Sequence, residues 1–379
     1  MKRIAQSPAT YGDAGVDSRL EEAGLSELSA WVNRTFALNP RKPLLPLGYF
    51  ANVIELSPDQ GLAISTDGVG TKLLIAQALG KYDTVGIDCV AMNANDVICV
   101  GARPISMVDY IAVQKIKPGF LAEIGKGLYA GAEAAGINIP GGEIAQVSEM
   151  IRDDVRQGCG FDLVGTCVGT VHPKRIVIGQ AIEPGDAVVG IASSGIHSNG
   201  LTLARRVLFR ESMAALSEHV AALGRTLGEE LLAPTHIYVR EVMQMLDDGL
   251  AVRALIHITS DGLLNLARVA SETGYVIDDP LESPPIFTMI QRAGSVPDHE
   301  MFQVYNLGTG FCVVVAPVDA DRVVSIARRH GRRAKVIGYA VHDPEKRVWI
   351  PSARLVGKGN SFEPASALPP ARPARRPAR

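Results

Sequence analysis

The sequence predicts a protein of the α/β (α+β) class with two domains, and three observations support this. Hydrophobic residues make up 47% of the 379-residue chain and charged residues 21%, which is a globular composition with ample apolar material for a core. Strand-like and helix-like segments alternate from Leu62 to about Val171. A second block of the same kind follows a stretch with Pro and Gly at 172–186. The expected divisions are 1–174, 175–350 and an extension over 351–379.

Local patterns justify each element in chain order. The first block has a buried strand ending at Leu62 to Ile64 and a helix that starts at Leu73, with a glycine turn between them. β-Branched residues predict strands over 105–113 and 161–171, and a proline near its start fits a helix over 118–135. In the second block the patterns predict strands over 187–192, 254–258 and 311–315, and helices over 201–208 and 235–246.

The end of the chain, residues 363–379, differs in composition from the rest. It is poor in bulky apolar residues and rich in Pro, Ala and Arg. Such a segment cannot bury a core, so we expect a disordered tail. A solvated tail is the simpler interpretation, and contact of its arginines with an acidic partner is the alternative.

Charge and cysteine content exclude several classes of protein. The net charge of −2 gives no general affinity for nucleic acid or membrane. No apolar run has the length of a membrane span, and the N-terminus shows no signal-peptide core, so we expect no membrane partner. The five cysteines are odd in number and form no Cys-x-x-Cys pair, which argues against a disulfide framework or a zinc site. A reducing cytoplasm fits best.

The stretch ISTDGVGTK, residues 64–72, places one carboxylate, Asp67, in a turn between a strand and a helix. Ligands often bind at the turn that connects a strand to the following helix. The spacing matches neither the Walker loop nor the dinucleotide fingerprint. From the local pattern alone, a nucleotide or metal loop and a plain structural turn remain equal alternatives.

Three further stretches place acids or glycine-rich backbone at segment ends. Asp96 precedes a Gly-Ala-x-Pro run that begins at Gly101, Glu143 follows two glycines, and SSGIHSNG at 193–200 precedes a helix. Each has a simpler explanation, such as a helix end, a loop acid or a helix cap. Together, three carboxylates beside glycine turns suit Mg²⁺ and nucleotide phosphates. Asp88 and Asp109 are weaker candidates, because their flanks also fit a helix face and a strand.

At these residues the chain resembles the phosphoribosylformylglycinamidine cyclo-ligase (aminoimidazole ribonucleotide synthetase) family. The motifs that carry the resemblance occur in the family's order between residue 11 and about residue 340. They are Y-x-D-A-G-V-D from Tyr11, STDGVGTKL, DTVGIDCVAMNANDV, the D-x4-G-A-x-P run from Asp96, GGE, FDLVGTCVGTV, SSGIHSNGLTLARRVL and LLAPTHIYV. The D-x4-G-A-x-P run followed by HSNG is the most specific part.

The resemblance implies two α/β domains of the aminoimidazole ribonucleotide synthetase type. It implies that the N-terminal domain binds ATP and that its sheet pairs with a second copy in a homodimer. It also implies an ATP- and Mg²⁺-dependent ring closure of formylglycinamidine ribonucleotide in purine biosynthesis. Such chemistry activates a poor leaving group by phosphorylation, and metal and positive dipoles stabilise the transferring group.

Carried over to this chain, the family's pattern assigns roles to individual residues. The expected metal and ATP acids are Asp67, Asp96 and Glu143; the expected phosphate and cofactor residues are Gly68, Gly70, Thr71, Lys72 and Gly101; the expected substrate residues are Ser198, Asn199 and Gly200; and the expected catalytic residues are His197, His257, Asp67 and Asp96.

The chain also departs from the family's usual pattern on loops. Gly12 replaces a lysine, and the runs at 48–56 and 144–150 differ. Ser260 and Asp261 stand where the family has glycines. Two alternatives to the cyclo-ligase therefore stay open: another ATP-using enzyme of the same superfamily, and a nucleotide-binding relative without turnover.

Overall fold

The computed structural model describes residues 9–10, 12, 15, 18–152, 160–209 and 213–373. Most of the early motif that begins at Tyr11 lies outside these residues, as do Cys159 and residues 374–379. The other four cysteines are buried free thiols. Among the described residues, no helix combines the length and apolar composition needed to cross a bilayer.

The first domain is a five-stranded sheet covered on one face by helices. Its strands are β1 (Asn52–Ser57), β2 (Gln60–Gly68), β3 (Arg103–Val113), β4 (Gly142–Gln146) and β5 (Phe161–Val171), in the order β1-β2-β5-β3-β4. All neighbours are antiparallel except β3 and β4. The helices are α1 (Ser18–Val32), a 3₁₀ helix (Asn33–Ala37), α2 (Lys72–Leu79), α3 (Val85–Ile98) and α4 (Phe120–Ala135).

Close packing of α3 against α4 depends on glycines. A Cβ at Gly86 of α3 would lie 2.3 Å from the backbone nitrogen of Leu128. A Cβ at Gly127 of α4 would lie 2.5 Å from the carbonyl oxygen of Asp83. Only glycine permits this approach of two backbones. The contact holds α3, which carries Asp96, firmly on the sheet.

The second domain is an eight-stranded sheet with the order β15-β14-β13-β10-β12-β6-β11-β9 and a separate hairpin. Its strands are β6 (Ala187–Ala192), β7 (His219–Val220), β8 (Arg225–Thr226), β9 (Val252–His257), β10 (Thr273–Val276), β11 (Thr309–Val315), β12 (Ala334–His342), β13 (Val348–Ile350), β14 (Leu355–Lys358) and β15 (Ser361–Pro364). Its helices are α5 (Leu201–Leu208), α6 (Leu227–Leu231), α7 (Val239–Asp247), α8 (Pro285–Gly294), α9 (Asp298–Val304) and α10 (Ala320–Arg329), and its 3₁₀ helices are Pro173–Arg175, Met213–Ser217, Gly262–Arg268, Pro317–Asp319 and Pro351–Ala353.

Four strand ends line up at one edge of this sheet. Ala334 of β12, Ile191 of β6, Phe311 of β11 and His257 of β9 are register partners in one transverse row. The loops that leave β6 and β9 and the loops that enter β11 and β12 therefore share this edge. His257 points from the row towards α3 of the first domain.

The observed elements agree closely with several predicted ones. Predicted strands at 161–171 and 187–192 and the helix at 201–208 have the observed bounds. Other segments differ from their predicted bounds, and the predicted helix 235–246 is observed over Val239–Asp247. Strand β2 continues through Gly68 because it pairs with β5 as far as Val164, and the GGE stretch enters edge strand β4 because it pairs with β3.

The end of the chain corrects the expectation of a disordered tail from residue 363. Glu363 lies in β15, which pairs with β14. Beyond the strand, Pro370 accepts a hydrogen bond from the Tyr339 hydroxyl at 2.9 Å, and Arg372 lies over the same ring. Backbone pairing and one aromatic ring hold a segment that has little apolar surface of its own. Disorder of residues 374–379 stays a prediction.

Candidate functional site

Asp67 lies at the end of β2, where Asn93 of α3 fixes the backbone. The Asp67 N–H donates to Asn93 Oδ1 at 2.9 Å, and Asn93 Nδ2 donates back to the Asp67 carbonyl at 3.0 Å. The Asp67 carboxylate itself accepts from the Gly68 N–H at 2.7 Å. Burial, followed by the negative charge of Asp96, raises the pKa of Asp67 to about 6. Two carboxylates therefore repel each other across a partly dry space.

Asp96 extends from α3 towards the second domain, where His257 meets it. His257 Nδ1 lies 2.9 Å from Asp96 Oδ1, and the imidazole is fully buried while the carboxylate is 14% exposed. Because a carboxylate accepts, Nδ1 carries the proton in this pair. The other ring nitrogen, Nε2, lies 3.4 Å from the Asn95 amide nitrogen. The second domain thus orients an acid of the first.

Asn95, next to Asp96, joins the two domains through backbone contacts. Its amide nitrogen donates to the His236 carbonyl at 2.8 Å, and its oxygen accepts from the Tyr238 N–H at 2.9 Å. Asn95 is fully buried in a helix that is otherwise largely apolar. A buried amide is retained only with partners, and these partners fix α3 against the segment that precedes α7.

Lys72 and Asp88 form a second buried polar cluster. Asp88 Oδ1 accepts from Lys72 Nζ at 2.8 Å, from Ser198 Oγ at 3.1 Å, and from the backbone and hydroxyl of Thr235 at 2.8 and 2.7 Å. Lys72 Nζ also donates to the Ala233 carbonyl at 2.7 Å. Both charged side chains are fully buried. Burial lowers the pKa of Lys72, and the Asp88 carboxylate opposes that shift.

This cluster corrects the expectation that Lys72 contacts phosphate. Its ammonium points inward, to Asp88 of α3 and the Ala233 carbonyl of the second domain, rather than to the glycine turn. Ser198, expected at the substrate, likewise donates to Asp88. The cluster ties the start of α2 to the loop 193–200.

His197 occupies the centre of loop 193–200 in a strained conformation. Its φ is +63°, a region that side chains other than glycine seldom adopt, and it is 1% exposed. Nε2 accepts from the Ser194 N–H at 3.1 Å. Burial and the neighbouring cations hold the pKa of His197 well below its usual value, so the ring is neutral with its proton on Nδ1. That nitrogen is buried and has no hydrogen-bond partner within the described chain.

The rest of the loop is held by the second domain. Asn306 donates to the Gly195 and Ile196 carbonyls at 2.9 and 3.2 Å. Gly200 has φ +77° and a Cβ there would lie 2.3 Å from the Tyr305 ring, so only glycine fits before α5. Asn199, between Ser198 and Gly200, is half-buried.

The glycine turn after Asp67 is open on one side. Gly68 is half-buried, whereas Gly70 is exposed and has φ +71°. Thr71 lies before α2, and its hydroxyl lies 3.0 Å from that of Thr202 at the start of α5. The turn and loop 193–200 therefore meet across the domain boundary.

Two expected residues are not brought to this site. Gly101 has φ +76° and faces Arg175 and Val177 of the domain connection, which gives it a structural role in the turn after α3. Glu143 is exposed and in register with Tyr110 on the uncovered face of the sheet. Asp67 belongs to the helix-covered face, where its register partner Gly165 contacts Asn93. Side chains in neighbouring rows point to opposite faces, so Glu143 and Asp67 do not converge.

The loop after His257 carries the departures at Ser260 and Asp261. Asp261 has φ +73°, which aspartate tolerates better than most residues. Arg268 donates to its carboxylate at 3.2 Å and stacks on the Phe50 ring at 5.1 Å. The extra negative charge is thus paired, and the two departures at residues 48–56 and 260–261 contact the same arginine.

Family models match both domains of the chain. The model described as AIR synthase related protein, N-terminal domain, matches residues 48–171, and its C-terminal counterpart matches residues 183–351. Together they span more than two thirds of the sequence, in the order in which the two sheets occur.

This chain belongs to the AIR synthase-related family.

Family members of known name share this length and organisation. A protein of Methanocaldococcus jannaschii named phosphoribosylformylglycinamidine cyclo-ligase is 43% identical over 92% of this chain and 96% of the relative. One of Methanothermobacter thermautotrophicus with the same name is 44% identical over 87% of this chain and 93% of the relative.

Solved structures with the AIR synthase-related fold include enzymes of other names. Thiamine-monophosphate kinase from Stenotrophomonas maltophilia aligns with a TM-score of 0.54, at 18% identity, over 84% of this chain and 93% of that one. Thermotoga maritima PurL complexed with FGAR aligns with a TM-score of 0.54, at 17% identity, over 89% of this chain and 52% of that one. At this level of identity the likeness shows the shared fold.

Sequence patterns alone did not identify the buried polar residues that hold the site together. Asn93, Asn95 and His236 were not singled out, and Asp88 ranked low. The available signal was the pair of asparagines within the apolar helix Val85–Ile98, because buried amides need specific partners. Which partners they meet depends on the second domain, so spacing alone does not reveal it.

Proposed function

We propose that this chain is an ATP-dependent phosphoribosylformylglycinamidine cyclo-ligase. It converts formylglycinamidine ribonucleotide to 5-aminoimidazole ribonucleotide, with release of ADP and phosphate, in purine biosynthesis. The observation that carries the proposal is the Asp67–Asp96 pair beside the glycine turn, completed across the domain boundary by His257. The cyclo-ligase name of relatives that match nearly the whole chain supports the same reaction.

The reaction needs phosphorylation because an amide oxygen is a poor leaving group. The formamide oxygen attacks the γ-phosphorus of ATP, the bond to the bridging oxygen breaks, and ADP leaves. An amidine nitrogen then attacks the activated carbon, the carbon–oxygen bond breaks, and phosphate departs. Loss of a proton gives the aminoimidazole ring. The protein's task is therefore to hold a highly charged transferring group in line with the formamide.

Asp67 and Asp96 fit a Mg²⁺ site that is shared with ATP. Burial, and after it the negative charge of Asp96, raises the pKa of Asp67, and a bound cation would favour the ionised form of that carboxyl. No group of three His, Cys, Asp or Glu side chains with metal-binding geometry occurs among the described residues. Mg²⁺ commonly uses one or two carboxylates and takes its other ligands from phosphate and water. When bound, it would neutralise charge on the transferring phosphoryl group.

The two histidines take different roles in this proposal. His257 holds the Asp96 carboxylate through Nδ1 and thereby orients it. His197, neutral and with its Nδ1 proton unpartnered, is a donor for an oxygen of the substrate. Asn199 lies beside it on the same loop, and the turn at Gly68, Gly70 and Thr71 faces the ATP phosphates.

A homodimer formed through the first sheet is part of the proposal. The face of that sheet without helices carries Val108 and Tyr110, which are 46% and 42% exposed. Helix α1 also exposes Leu25, Leu28 and Trp31, which are 59%, 59% and 69% exposed. Exposed apolar side chains on an uncovered sheet face mark an interface, and a second copy offers the same sheet face in return. Sedimentation of the purified protein at twice the chain mass is expected; a monomer at micromolar concentration contradicts the dimer.

A cytoplasmic location accompanies the proposed activity. The reaction consumes ATP, and the four described cysteines are free buried thiols, which suits a reducing compartment.

The test of the proposed function is a stoichiometric turnover assay. Purified protein with ATP, Mg²⁺ and formylglycinamidine ribonucleotide should release one phosphate for each aminoimidazole ribonucleotide formed. Thiamine monophosphate, tested in place of the ribonucleotide, should give no ADP, which a kinase acting on that compound would release without any free phosphate. Turnover of another superfamily substrate, or ATP binding without turnover of any, would contradict the proposal.

A further inference from the structure

A basic pocket opens beside β12, separate from the Asp67–Asp96 pair. It has a volume of about 530 Å³ and lies between the α10–β12 connection and the segment around residue 282. Its lining includes Arg328, Arg332, Arg333, Lys335 and Glu282. Four cations and one carboxylate give the wall an excess of positive charge.

Neighbouring acids neutralise only two of these cations. Lys335 pairs with Asp279 at 2.6 Å, and Arg332 pairs with Glu241 at 3.2 Å. Arg328 and Arg333 are exposed, and neither has a carboxylate partner within the described parts of the chain. Two unpaired guanidinium groups on one pocket can bind a phosphate bidentately.

The pocket lies at the sheet edge that carries the site loops. Ala334 of its wall is in the same transverse row as Ile191, Phe311 and His257. Three strand spacings separate Ala334 from His257, which is about 14 Å. The Arg333 carbonyl accepts from the Ala192 N–H at 2.8 Å, so the basic loop is fixed directly beside the start of loop 193–200.

The inner wall of the pocket leads towards His197. Arg332 donates to His236 Nδ1 at 2.9 Å and to the Ile237 carbonyl at 3.3 Å. The rings of His236 and His197 are 6.2 Å apart. A continuous series of polar groups therefore runs along the sheet edge from the pocket to the loop that faces the reacting pair.

We propose that Arg328 and Arg333 of this pocket bind the 5′-phosphate of the ribonucleotide substrate. This inference rests on the proposed function, in which the substrate carries a phosphate monoester at one end and the reacting formamide at the other. With the phosphate at Arg328 and Arg333, the molecule extends along the sheet edge past His197 and presents the formamide at the Asp67–Asp96 pair. The pocket thus selects for a phosphorylated riboside, whereas ATP is held on the first domain.

Kinetics of Arg328→Ala, Arg333→Ala and the double variant test this assignment. Charge-assisted hydrogen bonds lost from a phosphate should raise KM for the ribonucleotide roughly tenfold or more in the double variant. We expect kcat and KM for ATP to change less than about twofold, since neither arginine contacts the reacting atoms. Arg329→Ala, an exposed neighbour on the same helix that bonds Ser325, is the matched control and should match the parent.

The dephosphorylated substrate separates phosphate binding from a general structural effect. Formylglycinamidine riboside should have the same high KM with parent and double variant. Three results would overturn the assignment: an equal rise in KM for the ribonucleotide and the riboside in the double variant, a rise in KM for ATP, or an unchanged KM for the ribonucleotide.

Direct binding distinguishes failure of this inference from failure of the proposed function. Ribose 5-phosphate, titrated calorimetrically into the intact protein, should bind the parent and Arg329→Ala but not the double variant. If only the double variant fails to bind ribose 5-phosphate and the parent shows no cyclo-ligase turnover, the phosphate pocket is supported and the proposed reaction is rejected. Unchanged binding in the double variant would reject the pocket whatever the reaction.

Discussion

Two carboxylates on the same helix, Asp88 and Asp96, lie about two turns apart and differ in burial and in hydrogen-bond partners. Asp88 is fully buried; its Oδ1 accepts from a lysine, a serine and a threonine, whereas its Oδ2 has no hydrogen-bond partner among the described residues. Asp96 is 14% exposed, bonds His257 at 2.9 Å, accepts weakly from Ser65 Oγ at 3.5 Å, and adds negative charge beside Asp67. A carboxylate supplied with donors by its own chain holds the structure together. A carboxylate that lies beside another acid can offer oxygen atoms to a cation.

Both aspartates also connect the first domain to the second. The second domain supplies Ser198 and Thr235 as donors to Asp88, beside Lys72 of the first domain. It also supplies His257 as the partner of Asp96. The buried cluster at Asp88 Oδ1 aligns the two domains, and Asp96 depends on that alignment because His257 reaches it from the second domain. Breaking the two clusters should consequently have different results, one on stability and the other on turnover.

The largest effect is expected from Lys72→Met, which leaves the buried Asp88 without its cation. Removing one partner of a buried ion pair costs about 3–5 kcal/mol of unfolding free energy. Urea unfolding of the purified protein measures this loss. The matched control is Lys81→Met, whose ion pair with Asp83 is exposed at 50% and 43% and should contribute less than about 1 kcal/mol. Equal stability of the two variants would mean that the cluster does not hold the domains.

Asp96→Asn should break turnover while the fold survives. Loss of one metal-binding carboxylate at a phosphoryl-transfer site should cost about 3 kcal/mol of transition-state stabilisation, a rate loss of roughly a hundredfold. The midpoint of thermal unfolding should stay within a few degrees of the parent. Asp247→Asn, at a carboxylate that is 62% exposed and paired with Arg103, is the control that should keep full activity. An unchanged kcat in Asp96→Asn would remove it from the site.

The raised pKa of Asp67 predicts that ionisation of this residue lowers the unfolding free energy of the cation-free protein in a pH-dependent way. Its folded pKa of about 6 exceeds the usual 3.8, so the folded state holds the proton more tightly than the unfolded state. Stability is therefore lost as pH rises from about 4 to 6 and stays lost above that range. Asp67→Asn should be more stable than the parent at pH 8 by about 1–3 kcal/mol, with a smaller gain at pH 5.

Urea unfolding in the presence of a chelator measures this difference at the two pH values. Asp321→Asn is the control, because it removes an exposed carboxylate that has no ion pair among the described residues. A gain for Asp67→Asn that is the same at pH 5 and pH 8 would mean that ionisation of the buried Asp67 carboxyl is not the origin of the gain.

The smallest effect is expected from Asp261→Gly. Glycine relieves the positive φ at this position, and the loss of a half-exposed ion pair with Arg268 offsets part of that gain. We expect a stability change below about 1 kcal/mol and an unchanged Mg²⁺ dependence of turnover, because Arg268 already pairs with the carboxylate. A shifted Mg²⁺ titration curve would show that Asp261 belongs with Asp67 and Asp96.

The same contrast shows what sequence can reveal. Strands such as 161–171 and 187–192 follow from local apolar patterns, and the motif order gave the family. The acids Asp67 and Asp96 were recognisable because glycine-rich turns flank them. The direction of a side chain is a different matter. Lys72 follows the glycine turn in sequence but points inward, because its partners Asp88 and Ala233 are distant in the chain.

Glu143 illustrates a second limit of sequence reasoning. Its position after two glycines resembles that of the other acids, but a strand register decides which sheet face it occupies. A shift of one residue reverses the face, and a motif does not encode that register. Similarly, strand pairing holds Glu363 and Pro364, and the Tyr339 hydroxyl bonds Pro370, which composition does not anticipate.

The most direct test of the account is calorimetric binding of ATP with and without Mg²⁺ to the parent, Asp96→Asn and Asp88→Asn. The account assigns the cation to the Asp67–Asp96 pair and a structural role to Asp88. It therefore predicts that Mg²⁺ strengthens ATP binding to the parent and to folded Asp88→Asn alike, and that Asp96→Asn loses most of this enhancement. An undiminished Mg²⁺ enhancement in Asp96→Asn, or its loss in a folded Asp88→Asn protein, would contradict the assignment.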